Sequence, residues 1–487
     1  MKSSHRHSAT RLLTAAASAA LLLWMPLAAQ QTFDRNKVPP PGKQPALRVP
    51  AWTKAKLANG ADLIVSEKHD LPLVSLTITF LGGANQFESP ERTGIASVVA
   101  AMMSEGTKTK DGDALSNALQ LLGTTVSTSI GGESGSIGFL STTGKFAPTL
   151  DVLIDMLVNS TFPADALERQ RAQRLVALSQ AKDRTTSIAG VVFPKVLYSE
   201  AHAYGRSTTE RSMKAITRDE VVAFHKAYFQ PGRAIVTVVG DISAASVRPV
   251  IDRAFAAWPA GGDKPAFNYA KVPERGPATI YLVDKPGAAQ STFALGNVGP
   301  PRTTADYFAL QVMNRILGGQ FQSRLNANIR EEKGYSYGVS SSFAFGKGPG
   351  PFRAGGDVVS DKSDAALVEF MKELRGIGGS RPISEDELET AKDGLIQRLP
   401  DQFASVGAVN GAITGIYIQG LPEDFYQQYA KSVASITKED VVRAAKQYID
   451  LDHLAIVIVG DRAAIESSLK ATNIAPITHL DIEGNPR

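Results

Sequence analysis

The chain contains itself twice. Ile216-Thr217-Arg218-Asp219-Glu220-Val221-Val222 returns as Ile436-Thr437-Lys438-Glu439-Asp440-Val441-Val442, an offset of 220 residues. Tyr228 returns as Tyr448, and the apolar run Ile235–Asp241 returns as Leu454–Asp461 with at most a one-residue slip. A period that long marks a duplicated domain rather than a solenoid repeat. A chain of 487 residues is also more than one hydrophobic core serves. Strand-like and helix-like stretches mix irregularly within each copy. The predicted class is therefore α+β: two homologous domains, each a mostly antiparallel sheet with helices on one face.

Composition sets the frame around the two copies. Residues 1–29 read as a secretory signal, with Lys2, Arg6 and Arg11 as its charged start, Leu12–Trp24 as its apolar run and Leu27-Ala28-Ala29 before the cut. The apolar run is short for a membrane span. The expectation is a periplasmic or secreted protein with no span after cleavage; the rival is an uncleaved anchor. Residues 30–51, with Pro39-Pro40-Pro41, read as an extended lead-in. The first domain is assigned to 52–257. A Pro- and Gly-rich linker at 258–277 follows, then the second domain at 278–475. The formal charge is +4, and the leader carries three of those charges, so nothing suggests a nucleic-acid partner. The chain has no Cys, which excludes disulfides, thiolate ligands and lipoprotein attachment.

The stretch Thr93–Thr107 reads as a buried helix, capped by Thr93 and stopped at Gly106, because its residues are small or apolar on every face. Its frame, Gly-Ile-Ala-x-x-x-x-x-Met-x-x-x-Gly-Thr, resembles the zinc-binding helix of the pitrilysin/insulinase family of metallopeptidases. In that family the five open positions read His-x-x-Glu-His. Here they are Ser97-Val98-Val99-Ala100-Ala101. On a helix, positions i and i+4 share a face, so two His there could hold one zinc ion and a Glu could activate its water. Ser97 and Ala101 offer no imidazole, and Ala100 offers no carboxylate. The resemblance implies a third ligand, a Glu roughly 80 residues further on, but Arg171–Gln180 has no acidic residue. The five His beyond the leader, His69, His202, His225, His453 and His479, never lie within 20 positions of one another. No metal ligands and no cofactor are assigned to this chain. There is also no Gly-x-Ser-x-Gly elbow or phosphate loop, and Gly346–Gly350 reads as a plain loop.

The resemblance covers nearly all of residues 52–470. It implies two domains facing each other like a clam shell around a cavity, and it is closest to the processing-peptidase type. Its second specific piece is Leu325–Ser340. In the family, an Arg and a Tyr seven residues apart at this place hold the bound peptide and help polarise its scissile carbonyl. Arg330 and Tyr337 match that spacing. An Arg can donate a fork of hydrogen bonds to carbonyl oxygens, and a Tyr hydroxyl can donate to an oxyanion. Tyr335, two residues away and expected on the same strand face, is the rival. A helix is predicted from Phe321 to Glu332 and a strand from Tyr335 to Phe343.

Two functions are weighed. In the first, the chain is the zinc-free subunit of a heterodimeric metallopeptidase, inactive alone. It binds extended peptide as a strand added to a sheet edge and lends Arg330 and Tyr337 to a homologous zinc-bearing sister. In the second, it is a non-catalytic structural or peptide-binding scaffold. The retained Arg/Tyr pair favours the first, because a scaffold has no need of an oxyanion donor.

Overall fold

The computed structural model describes residues 47–487; the signal-like stretch and most of the lead-in lie outside the described residues. Two six-stranded mixed sheets carry the fold. The first comprises β1 (Thr53–Lys56), β2 (Asp62–Glu67), β3 (Leu73–Leu81), β4 (Val126–Ile130), β5 (Ser134–Thr142) and β6 (Ala234–Gly240), in the order β1-β2-β6-β3-β5-β4. The second comprises β7 (Thr279–Asp284), β8 (Gln290–Val298), β9 (Ser336–Phe343), β10 (Pro351–Val359), β11 (Ala455–Gly460) and β12 (Ile477–Leu480), in the order β12-β7-β11-β8-β10-β9. In both sheets the late strand slots between two early ones, parallel to one and antiparallel to the other. Only the outermost strand breaks the correspondence. β1 comes from the start of its half and runs antiparallel to β2, whereas β12 comes from the chain end and runs parallel to β7.

Helices back each sheet. In the first half they include α1 (Ile95–Met102), α2 (Gly112–Leu122), α3 (Phe146–Asn159), α4 (Ala164–Ala181), α5 (Thr185–Tyr198) and α6 (Arg218–Tyr228). In the second half they include α7 (Tyr307–Leu317), α8 (Ser363–Arg375), α9 (Glu385–Gln397), α10 (Val406–Gln419) and α11 (Lys438–Tyr448). The repeated Ile-Thr motif has a local cause. Thr217 accepts from the Glu220 N–H while Glu220 accepts from the Thr217 N–H, and Thr437 and Asp440 do the same. Each is a capping box that starts α6 or α11.

The helices on one face of each sheet bury two separate cores. One is built around Leu76, Ile78 and Val98, the other around Phe293, Leu310 and Phe370. The opposite faces are covered by exchange. α5, from the first half, lies on β8 and β11 of the second, and α10, from the second half, lies on β3 and β6 of the first. Val192, Phe193 and Leu197 of α5 pack against Ala294, Val457 and Val459. Beneath α10, buried Asn410 donates to the Thr237 carbonyl at 3.1 Å, and Thr414 donates to the Thr237 hydroxyl at 3.3 Å. This explains why β6 and β11 are buried along their whole length rather than in alternation. Helices from the same half cover one face of each sheet, as expected, and one borrowed helix covers the other. The two halves form a clam shell joined through this exchange.

Candidate functional site

The helix that resembles a zinc-binding element is shorter than its sequence suggests. It runs from Ile95 to Met102, stopping before Gly106. Its N-cap is Gly94, which sits at φ 105°, a region that favours glycine. Thr93 does not cap it; that hydroxyl donates to the Pro90 carbonyl at 3.0 Å. The capping acceptor comes from outside the motif. Glu88 takes N–H bonds from Gly94 at 3.0 Å and Ala96 at 2.8 Å. Burial raises the Glu88 carboxyl above its usual range, against the pull of these two N–H groups and of Arg206.

Most of α1 is buried, including Ala100, but Ser97 is exposed and Ala101 half-buried. Ser97 lines a cavity of about 260 Å³, together with Asn85, Glu88, Ile130, Gly132 and Arg206. The Ser97 hydroxyl donates to the Gly94 carbonyl at 2.8 Å. The side chain that α4 turns towards Ser97 is Arg174. Its guanidinium donates to the Ser97 hydroxyl at 3.2 Å and to the Ser97 carbonyl at 3.0 Å. Its Nε is buried without a partner, and burial presses its pKa down with no carboxylate to offset this.

The segment expected to supply a third ligand thus supplies a cation. A hydroxyl, two methyl groups and a guanidinium form a donor set that does not fit zinc. Among the described residues no three His, Asp or Glu side chains gather in a metal-holding arrangement. His69, His453 and His479 pair with carboxylates, His225 bonds the Leu157 carbonyl at 3.0 Å, and His202 is fully buried. The sequence locates the segment 171–180; only the phase of α4 selects Arg174 from it.

Arg330 and Tyr337 lie on the second half. The predicted helix from Phe321 is shorter, and over Asn326–Glu332 it winds as a π-helix, with the Lys333 N–H reaching the Asn328 carbonyl at 3.0 Å. Such wide turns recur at functional sites. Buried Asn328 fixes this one by donating to Glu369 and Glu373, each at 2.8 Å. Arg330 is half-buried, 3.3 Å from the Glu331 carboxylate, with its guanidinium 4.3 Å above the exposed Phe321 ring.

Tyr337 is 89% exposed and makes no side-chain hydrogen bond to a described residue. Tyr335 does not share its setting but packs against the second core. The strand begins at Ser336, and the β9–β10 register shifts opposite Gly356 and Val358, which breaks the alternation that grouped the two tyrosines. Among the described residues, no hydrogen bond or ion pair joins Arg330 or Tyr337 to Ser97, Ala100 or Ala101. Neither lines the cavity beside Ser97.

The two halves also meet at their hairpin turns, a contact no sequence pattern announced. Glu133, in the β4–β5 turn, accepts from the Lys347 N–H at 2.8 Å and from the hydroxyls of Tyr269, at 2.6 Å, and Tyr204. The glycine-rich loop 346–350 is therefore a docking loop whose backbone amide grips a carboxylate.

Comparison with known proteins agrees with this construction. A model described as "Insulinase (Peptidase family M16)" matches residues 63–206, and one described as "Peptidase M16 inactive domain" matches residues 215–395. The chain belongs to the insulinase (M16) family of metallopeptidases, as a member of the type that lacks His-x-x-Glu-His. It is 25% identical, over 69% of its length and 80% of the relative's, to a Bacillus subtilis protein named "Uncharacterized zinc protease YmxG". It is 22% identical, over 82% of its length and 92% of the relative's, to a Helicobacter pylori "Non-peptidase homolog YmxG". A crystal structure titled as a peptidase M16 inactive domain from Pseudomonas fluorescens superposes with a TM-score of 0.78 at 26% identity, covering 85% of this chain and 99% of that one.

Proposed function

We propose that this chain is the zinc-free subunit of a heterodimeric metallopeptidase of the periplasm or of the secreted fraction. It binds extended peptide and presents Arg330 and Tyr337 to the active site of a homologous, zinc-bearing sister. The observation that carries the reading is a separation. Arg174 donates to Ser97 on the chain's own zinc-motif helix, while half-buried Arg330 and exposed Tyr337 lie on the other half, on a braced π-turn and an edge strand. A phenol left almost wholly exposed, with no hydrogen-bond partner among the described residues, suits a group that acts on something brought from outside. Arg330 would hold peptide carbonyls by its fork of donors. Tyr337 would donate to the oxygen that becomes negative when the scissile carbonyl is attacked. No helix among the described residues is long and apolar enough to cross a membrane.

The test is reconstitution. The purified chain is expected to hold no stoichiometric zinc and to cleave nothing. Mixed with a sister bearing His-x-x-Glu-His, it should generate peptidase activity, and Arg330→Ala or Tyr337→Phe should lower that activity about 100-fold without changing the melting temperature. Chelator-sensitive cleavage by this chain alone would end the reading. Full activity from both variants would leave the scaffold function in its place.

A further inference from the structure

Three cavities of the first half meet at one side chain. Arg206 lines the cavity beside Ser97, a second of about 520 Å³ towards Arg92, and a third of about 430 Å³ that reaches the second half at Phe345. Its guanidinium is held from behind. Nε donates to the Glu200 carbonyl at 3.1 Å, and one terminal nitrogen donates to the Ala201 carbonyl at 3.0 Å. The other terminal nitrogen has no acceptor among the described residues. The loop that carries Arg206 is itself shaped for the task. Ser199 adopts φ 59°, and Gly205 packs so closely that a Cβ would fall 2.0 Å from the Ser199 carbonyl.

Four carboxylates lie along the same walls: Glu91 and Glu200, the latter paired with Lys195, line the second cavity, and Glu88 and Glu133 are held by other donors. Glu88 is bonded by the Gly94 and Ala96 amides, and Glu133 by two hydroxyls and the Lys347 amide. Neither forms an ion pair with Arg206. On the far side of Ser97, Arg174 adds a second guanidinium without a carboxylate partner among the described residues. Arg206 also acts on Glu88 electrostatically, but its second terminal nitrogen has no acceptor among the described residues. Beside it, β4 pairs only with β5 and so leaves an outer edge up to Ile130 in the cavity wall; beyond it, the Gly131 and Gly132 carbonyls are taken by the Ala84 and Asn85 amides.

We propose that the cavity at Arg206 is a carboxylate subsite for the peptide. An extended chain added along β4 would place a carboxylate, from its C-terminus or from an Asp or Glu side chain, on the free terminal nitrogen of Arg206. A guanidinium whose other donors are already fixed loses little freedom on accepting such a partner. This inference rests on the peptide-binding part of the proposed function and adds to it the chemistry of one end of the ligand.

The experiment compares three fluorescent nonapeptides of the same β-forming sequence, bound to the intact chain and read by anisotropy. One has a free C-terminus, one is amidated, and one is amidated with a single internal Asp. The free-acid peptide is expected to bind at least about tenfold more tightly than the amide. Arg206→Gln should erase that difference, and Arg206→Lys should keep part of it. A gain by the Asp peptide would assign the subsite to side-chain carboxylates as well; no gain would restrict it to the C-terminus. Equal binding of acid and amide by the unmodified protein overturns the subsite while leaving peptide binding intact. Absence of binding by all three overturns both.

Discussion

The two halves share a frame and differ in what they do with it. Both build the same order over five of six strands, start the same late helix with a capping box, and lend one helix to the other. Both also place an arginine between the helix that follows the corresponding strand, β3 or β8, and a helix further on, but from opposite sides. In the first half Arg174 on α4 reaches Ser97 on α1. In the second, Arg315 on α7 lies against Gly394 on α9, where a Cβ would come within 2.1 Å of the guanidinium. In the first half the guanidinium reaches Ser97, at the wall of a half-open cavity; in the second the polar groups range from the buried Asn328–Glu373 pair to the exposed Tyr337. Duplication preserved the buried pairing of strands, where change is costly, and left the helix-to-helix and edge positions free to diverge.

The largest effect should come from trying to undo that divergence. Ser97→His, Ala100→Glu and Ala101→His together restore the motif but leave Arg174 beside the site. A divalent ion about 4 Å from a guanidinium is opposed by on the order of 8 kcal/mol at an effective dielectric of about 20. The triple variant should therefore bind no zinc by elemental analysis, and adding Arg174→Glu should allow it. Zinc held by the triple variant would show that Arg174 is not what keeps the cradle closed to metal.

The exchange of helices comes next. Phe193→Ala empties a fully packed site on the second sheet and should cost about 3–5 kcal/mol in denaturant unfolding. Ile413→Ala on α10 should cost about 2–5 kcal/mol. If only one of the pair destabilises, the exchange is not reciprocal in energy.

A third test separates the halves by pH. His225 in α6 is buried and pushed down to about 4, chiefly by desolvation; its counterpart in α11 is Ala445. Its folded pKa lies below the unfolded value of about 6.5, so the unfolded chain takes up the proton first. Its contribution is complete above pH 6.5 and is lost as pH falls towards 4, on the order of 3 kcal/mol. His225→Ala should flatten that part of the stability profile. An unchanged slope would assign the acid sensitivity elsewhere, with Glu387, held down to about 2 chiefly by Arg324, as the group to examine at lower pH.

The smallest expected effect is at the caps. Thr217→Ala and Thr437→Ala should each cost about 1 kcal/mol, equally in the two halves. A marked inequality would mean that one capping box is dispensable.

How much of this was legible beforehand depends on the range of the interaction. The duplication, the α+β class, the degenerate motif at Ser97, Ala100 and Ala101, and the Arg330/Tyr337 spacing follow from local patterns. The Glu88 cap on α1 did not, because Thr93 was an adequate local candidate and the winning acceptor lies across a turn. Tyr335 and Tyr337 were grouped by strand alternation, and a register shift against β10 separated them. The glycine-rich loop at 346–350 looked idle because its partner, Glu133, is more than two hundred residues away.

The order of residues alone determined that this chain folds as a doubled unit and that its first half lacks the ligands for zinc, since periodicity, capping and the presence of a donor atom are properties of short stretches. Tertiary structure decided where the charges point. The phase of α4 aims Arg174 at Ser97, the exchange of α5 and α10 clamps the halves, and the loop at 199–206 leaves one arm of Arg206 without an acceptor among the described residues. Side chains far apart in the chain acquire these roles only when packing sets the angle between their helices and strands, and no local pattern encodes that angle.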